Sequence, residues 1–92
     1  MKNLFDVSGK VAIVTGGSRG IGAMIARGFV ENGVKTYITA RKQEELDSTA
    51  AELNQYGECV ALASDLSTLE GVKAFADEIK SREAKVDILV NN

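Results

Sequence analysis

Thr15-Gly16-Gly17-Ser18-Arg19-Gly20-Ile21-Gly22 is the stretch that decides how this chain is read. It follows Val11-Ala12-Ile13-Val14, a short apolar run, and leads into Ile21, Ile25 and Phe29, apolar residues at helical spacing. A strand, a glycine-rich turn and a helix in that order point to a phosphate site. A helix start presents backbone N–H groups without intrahelical partners, and the macrodipole places roughly half a positive charge there. A pyrophosphate reaches those groups only where no side chain stands in the way. On this reading Gly16 forms the tight turn, Gly20 admits the phosphate, and Gly22 lets the helix pack closely on the strand. Ser18 either donates its hydroxyl to the same phosphate or steadies the turn locally. The spacing, Gly-x-x-x-Gly-x-Gly, departs from the Gly-x-Gly-x-x-Gly dinucleotide pattern.

Outward from that turn, short apolar runs alternate with amphipathic stretches, which argues for β-α-β units and a parallel sheet. Strands are expected at 11–15, 36–40, 59–63 and 86–90, and helices at 20–32, 42–56 and 68–81. Gly33 and Gly57 read as helix stops. Leu46, Ala50 and Leu53 form one face of the second helix, and Val72, Phe75, Ala76 and Ile79 one face of the third. Ser67-Thr68-Leu69-Glu70 reads as a capping box at the start of that third helix. Right-handed crossovers then give the strand order 3-2-1-4, a doubly wound α/β sheet of Rossmann type. The ligand crevice falls where the order reverses, at the carboxyl ends of strands one and four. Both the glycine turn and Asn91 stand there.

Folds of this type that prefer an unphosphorylated ribose carry Asp or Glu about 20 residues after the glycines. Here Ala40-Arg41-Lys42 occupies that place. A carboxylate repels a 2′-phosphate, whereas a guanidinium offers it a planar, bidentate fork. Arg41 on one side, and Arg19 from the glycine turn on the other, therefore point to NADP over NAD. Lys42 reads as a surface lysine at a helix start.

Thr15-Gly16-x-x-x-Gly20-Ile21-Gly22, Asp65-Leu66 after an apolar run, and Asp87-Ile88-Leu89-Val90-Asn91-Asn92 together resemble the short-chain dehydrogenase/reductase family over residues 7–92. The last of these looks like the start of the family's Asn-Asn-Ala-Gly segment. The Arg-containing turn and the Ala-Arg pair look most like NADP-dependent 3-oxoacyl reductase-type members. The resemblance implies a nicotinamide cofactor and hydride transfer between it and a small carbonyl or alcohol substrate. It implies that Asp65 accepts from the adenine amino group, with the Leu66 backbone beside it. By the same resemblance Asn91 lies against the adenosine side of the cofactor while bonding to backbone near the glycine turn, with a purely structural role as the alternative. Thr15 is implied to hold the central strands together. The cofactor-binding set is thus Gly16, Ser18, Arg19, Gly20, Ile21, Gly22, Arg41, Asp65, Leu66 and Asn91.

No catalytic residue is expected within this chain. The family's catalytic Asn, Ser, Tyr and Lys follow its Asn-Asn-Ala-Gly motif, and neither Tyr37 nor Tyr56 has Lys four residues on. Residues 1–92 are accordingly expected to be the amino-terminal part of a single dinucleotide-binding reductase domain, truncated after the fourth strand. Strand four would then be an exposed edge, and the complete protein a homo-oligomer.

Composition removes other classes. A net charge of −2 with no basic block gives no footprint for nucleic acid. No apolar run approaches the ~18 residues of a membrane span. Met1-Lys2-Asn3-Leu4-Phe5-Asp6 lacks the apolar core of a signal peptide. With no histidine and one cysteine, a zinc site is not expected. Cys59, in an apolar strand pattern, reads as a buried structural thiol suited to a reducing cytoplasm. A P-loop is excluded because no Gly-Lys-Ser/Thr is present. Two other readings compete with a reductase. One is a non-catalytic NADP-binding module. The other is an S-adenosylmethionine methyltransferase, which typically wants an acid where Arg41 stands.

Overall fold

The computed structural model describes residues 7–92, so the amino-terminal segment read above as lacking a signal-peptide core lies outside the described residues. The elements are β1 (Val11–Thr15), α1 (Gly20–Glu31), β2 (Lys35–Thr39), α2 (Gln43–Leu53), β3 (Cys59–Ala61), α3 (Leu69–Arg82) and β4 (Ile88–Val90). All strand pairs are parallel and the order is β3-β2-β1-β4, the order expected.

The strand side chains alternate between two cores, as a period of two requires. Val14, Ile38 and Cys59 face Ala26 and Val30 of α1 and Leu46, Ala50 and Leu53 of α2. Ile13 and Tyr37 face the other way, against Ile79 and Phe75 of α3. The register places Ile13 beside Tyr37 and Tyr37 beside Val60, so this second core is a row across the sheet. It ends at Leu89, which pairs with Ile13 yet is 66% exposed. Cys59 is buried, and its burial pushes the thiol up to about 11, so it remains protonated at neutral pH.

Several local expectations shift, each for a physical reason. The buried face of α1 is Gly22, Ala26 and Val30, while Ile21 is 68% exposed. The small residues at 22 and 26 let the helix sit close to the sheet, which turns the larger Ile21 outward and leaves Ile25 and Phe29 as flanks. Helix α2 ends at Leu53, well before Gly57. The Asn54 side chain closes it by donating to the Ala50 carbonyl at 2.7 Å, and it also bonds both ways with the Cys59 backbone. Gly57 serves close packing instead: a Cβ there would lie 2.6 Å from the Val30 carbonyl oxygen. The cap of α3 is Thr68, which accepts from the Gly71 amide at 3.0 Å. Ser67 instead turns back into the loop, where its hydroxyl and amide both donate to Asp65 Oδ1.

Only the part of α3 from Phe75 onward meets the sheet, through Phe75 and Ile79; Val72 and Ala76 are exposed. That part is held by its C-cap, Glu83. The Glu83 carboxylate accepts from Tyr37 Oη at 2.6 Å and lies 2.6 Å from Lys35 Nζ. The lysine and the tyrosine hold the Glu83 carboxyl below the usual range. A carboxyl with a depressed folded-state pKa contributes stability that is present above its unfolded pKa and lost as pH falls through its folded one. We expect Glu83→Gln to lower the melting temperature at pH 7. The gap from wild type should narrow as pH falls from about 5 to about 3, where the wild-type carboxylate protonates. A gap that stays constant across that window in thermal melts would mean the clasp does not depend on the charge.

Candidate functional site

The carboxyl ends of β1, β2 and β4 meet the loop after β3 around one cleft of about 330 Å³. Thr15, Gly16, Arg41, Asp65, Leu66 and Asn91 all line it, so five of the ten expected site residues share one wall-to-wall space. Ser18, Arg19, Gly20, Ile21 and Gly22 form the turn and helix start beside it.

The turn is fixed from three directions. Gly16 N–H donates to the Thr39 carbonyl at 2.8 Å, tying the turn to the end of β2. Gly16 has φ +65°, a left-handed conformation that favours glycine. A Cβ on Gly22 would sit 2.1 Å from the Gly16 carbonyl oxygen, so α1 can begin this close to β1 only with glycine at 22. Thr49 on α2 donates its hydroxyl to the Ser18 carbonyl at 2.6 Å. Sequence reasoning missed Thr49, since nothing in a lone threonine on a helix announces a partner in a distant loop.

Helix α1 starts without a side-chain cap and without an acid in its first turn. Its N-cap is Arg19, in extended backbone, whose side chain is 80% exposed and lies 3.7 Å from Glu45 Oε1. Gly20 has φ +63°, and a Cβ added there would meet no protein atom within 4 Å. The helix start is therefore open to the outside at the residue where an anion would approach.

On the opposite wall the chain after β3 stays hydrogen-bonded to β2. Leu62 N–H donates to Ile38 and Ser64 N–H to Ala40, and the Thr39 and Ser64 hydroxyls share a 2.5 Å bond. These bonds carry Asp65 to the cleft alongside Arg41. Two Ser67 hydrogen bonds, then the Arg41 charge, hold the Asp65 carboxyl below its ordinary value.

Thr15 and the two asparagines join β1 to β4. The Thr15 hydroxyl contacts the Val90 carbonyl at 3.3 Å and Asn91 Oδ1 at 3.1 Å, and it accepts from Asn92 N–H at 2.9 Å. It is Asn92, not Asn91, whose side chain reaches the Gly16 carbonyl, at 3.5 Å. Tyr37 lies under α3, and Tyr56 is stacked by Arg27 at 4.5 Å from its ring centre, so neither belongs to the cleft. No group of metal-ligating side chains occurs among the described residues. No helix among them is long and apolar enough to cross a membrane.

Known proteins share this fold. The family model for short chain dehydrogenases matches residues 10–92. A rhamnolipid-biosynthesis 3-oxoacyl-[acyl-carrier-protein] reductase of Pseudomonas aeruginosa is 46% identical over 92 residues, 100% of this chain and 36% of the reductase. The Pseudomonas aeruginosa RhlG–NADP complex superposes with a TM-score of 0.92 at 46% identity, covering 96% of this chain and 36% of that one. L-sorbose reductase from Gluconobacter frateurii, solved with NADPH and L-sorbose, gives a TM-score of 0.88 at 40% identity over 94% of this chain and 34% of that one. The chain thus spans about a third of the length of the relatives it matches.

Proposed function

The chain belongs to the short chain dehydrogenase family, and from that premise we propose that it is the NADP-binding part of a carbonyl reductase. The observation that carries the proposal is the uncapped, glycine-lined start of α1, opening beside a cleft that presents Arg41 where NAD-preferring folds carry an acid. In this reading the amides at Gly20, Ile21 and Gly22 take the pyrophosphate, and Gly16 keeps the approach clear, with Ser18 at the turn. Arg19 and Arg41 take the 2′-phosphate. Asp65 and the Leu66 backbone meet the adenine, and Asn91 lies on the adenosine side. A bound nicotinamide cofactor would supply the hydride.

A 3-oxoacyl thioester is the substrate class we favour, supported by 46% identity to a 3-oxoacyl reductase. Residues 1–92 then form the amino-terminal part of the reductase domain, and the groups that polarise the carbonyl lie outside them. A homo-oligomer in the cytoplasm completes the reading, with buried, protonated Cys59 suited to a reducing compartment. The complete gene product should consume NADPH, and NADH far more slowly, when given a 3-oxoacyl thioester, as followed by nicotinamide absorbance. Turnover of other carbonyls but not the thioester would move the substrate class and keep the reductase. A second reading, a non-catalytic NADP-binding module, draws on the seclusion of both tyrosines from the cleft. NADPH binding without turnover of any carbonyl would favour it.

A further inference from the structure

Helix α2 grips the phosphate turn at two consecutive residues. Thr49 holds the Ser18 carbonyl at 2.6 Å, and Glu45, one helical turn earlier, faces the Arg19 guanidinium at 3.7 Å. The two contacts differ in kind. The Thr49 bond fixes the backbone from which the Arg19 side chain departs. The Glu45 contact is longer than the roughly 2.7–2.9 Å of a charge-assisted hydrogen bond. Its arginine side is 80% exposed, while Glu45 is more sheltered at 38%. Arg19 is thus anchored at its root and loosely held at its head.

We infer that Glu45 is a specificity-determining residue that competes with the ribose 2′-phosphate for Arg19; the inference rests on the NADP reading above. A phosphate carries more negative charge than a carboxylate and offers a guanidinium more acceptor oxygens, so it displaces Glu45. Releasing Arg19 leaves Glu45 in the first turn of α2, where the helix macrodipole favours a negative charge. The exchange therefore costs little, and the pair sets how much of the arginine's attraction reaches the ligand. With an unphosphorylated ribose nothing displaces Glu45, and the pair persists. Discrimination between the two cofactors then depends on an acid that touches neither of them directly.

The test uses the complete gene product, titrated calorimetrically with adenosine 2′,5′-bisphosphate and with 5′-AMP. Glu45→Gln should tighten the bisphosphate about two- to fivefold, the scale of one exposed ion pair, and leave 5′-AMP unchanged. Glu44→Gln makes the same change in net charge on the exposed neighbour and should have no such effect. In an Arg19→Ala background the gain from Glu45→Gln should vanish. Equal gains from Glu44→Gln and Glu45→Gln, or no gain from the latter while Arg19→Ala still weakens the bisphosphate, would overturn the competition and leave the NADP reading standing. An Arg19→Ala protein that binds the bisphosphate like wild type would remove Arg19 from the phosphate site, and the competition with it.

Discussion

Gly20→Val is expected to abolish nucleotide binding in a protein that still folds, whereas Gly22→Ala should damage the turn itself. The two glycines stand two residues apart and fail for different reasons. At Gly20 a Cβ meets no protein atom within 4 Å, so the added side chain points into the open space that the proposed site assigns to the pyrophosphate. Its folding cost is confined to the backbone, where φ is +63° and a non-glycine residue loses about 1–2 kcal/mol. That is a fraction of the roughly 5–15 kcal/mol of a typical domain. At Gly22 even a methyl group would lie 2.1 Å from the Gly16 carbonyl oxygen and 2.9 Å from Asn92 Nδ2. Neither α1 nor the turn can absorb that by a rotamer change, so about 1–3 kcal/mol or more of overpacking is expected. The check pairs thermal melts with calorimetric titration of adenosine 2′,5′-bisphosphate in the complete gene product. Gly20→Val binding with wild-type affinity would remove the phosphate from this turn. Gly22→Ala melting like wild type would mean that α1 can back away from β1 without loss.

The strand order and the place of the cleft were legible because they depend on patterns that run along the chain. Short apolar strands, helical stripes and the point where the strand order reverses follow from periodicity and handedness. The roles expected for Gly16 and Gly22 match the structure, since both follow from the geometry of a strand turning tightly into a helix. What the pattern could not supply were contacts made across the fold. Asn54 ends α2 by bonding to β3, and that partner is invisible until the strand is in place. Ser67 looked like a cap, yet its side chain turns back to Asp65 and the adjacent hydroxyl of Thr68 takes the Gly71 amide, a choice between neighbours that spacing alone does not make. Ile21 fitted an apolar stripe by spacing, yet close packing favoured the smaller residues beside it. Each of these cases is decided by which neighbours a side chain meets once the chain is folded. A one-dimensional pattern counts candidates without ranking them.

Changing Arg41 to alanine is expected to weaken NADPH by about 1.5–3 kcal/mol, roughly tenfold to 150-fold, the scale of hydrogen bonds to a charged group. NADH should be nearly unaffected. Arg41 is exposed at the cleft mouth, just past the end of β2. Solvent screening puts the expected loss toward the lower end of that range. An alternative role for the side chain can be separated from this one. Arg41 also acts on Asp65, whose carboxyl it helps to hold below its ordinary value. If that were its main work, removing it would disturb the Asp65 loop and the adenine end of the site, which both cofactors share. The two cofactors would then lose affinity together. A contact to the 2′-phosphate, by contrast, is made by NADPH alone. Salt provides a second discriminator, because a guanidinium–phosphate attraction at an exposed site weakens as ionic strength rises. The ratio of NADPH to NADH affinity should therefore fall with added salt in wild type, and the fall should flatten in Arg41→Ala. Equal losses for both cofactors, with an unchanged salt dependence, would make Arg41 a support for the Asp65 loop and leave the preference for NADP to Arg19.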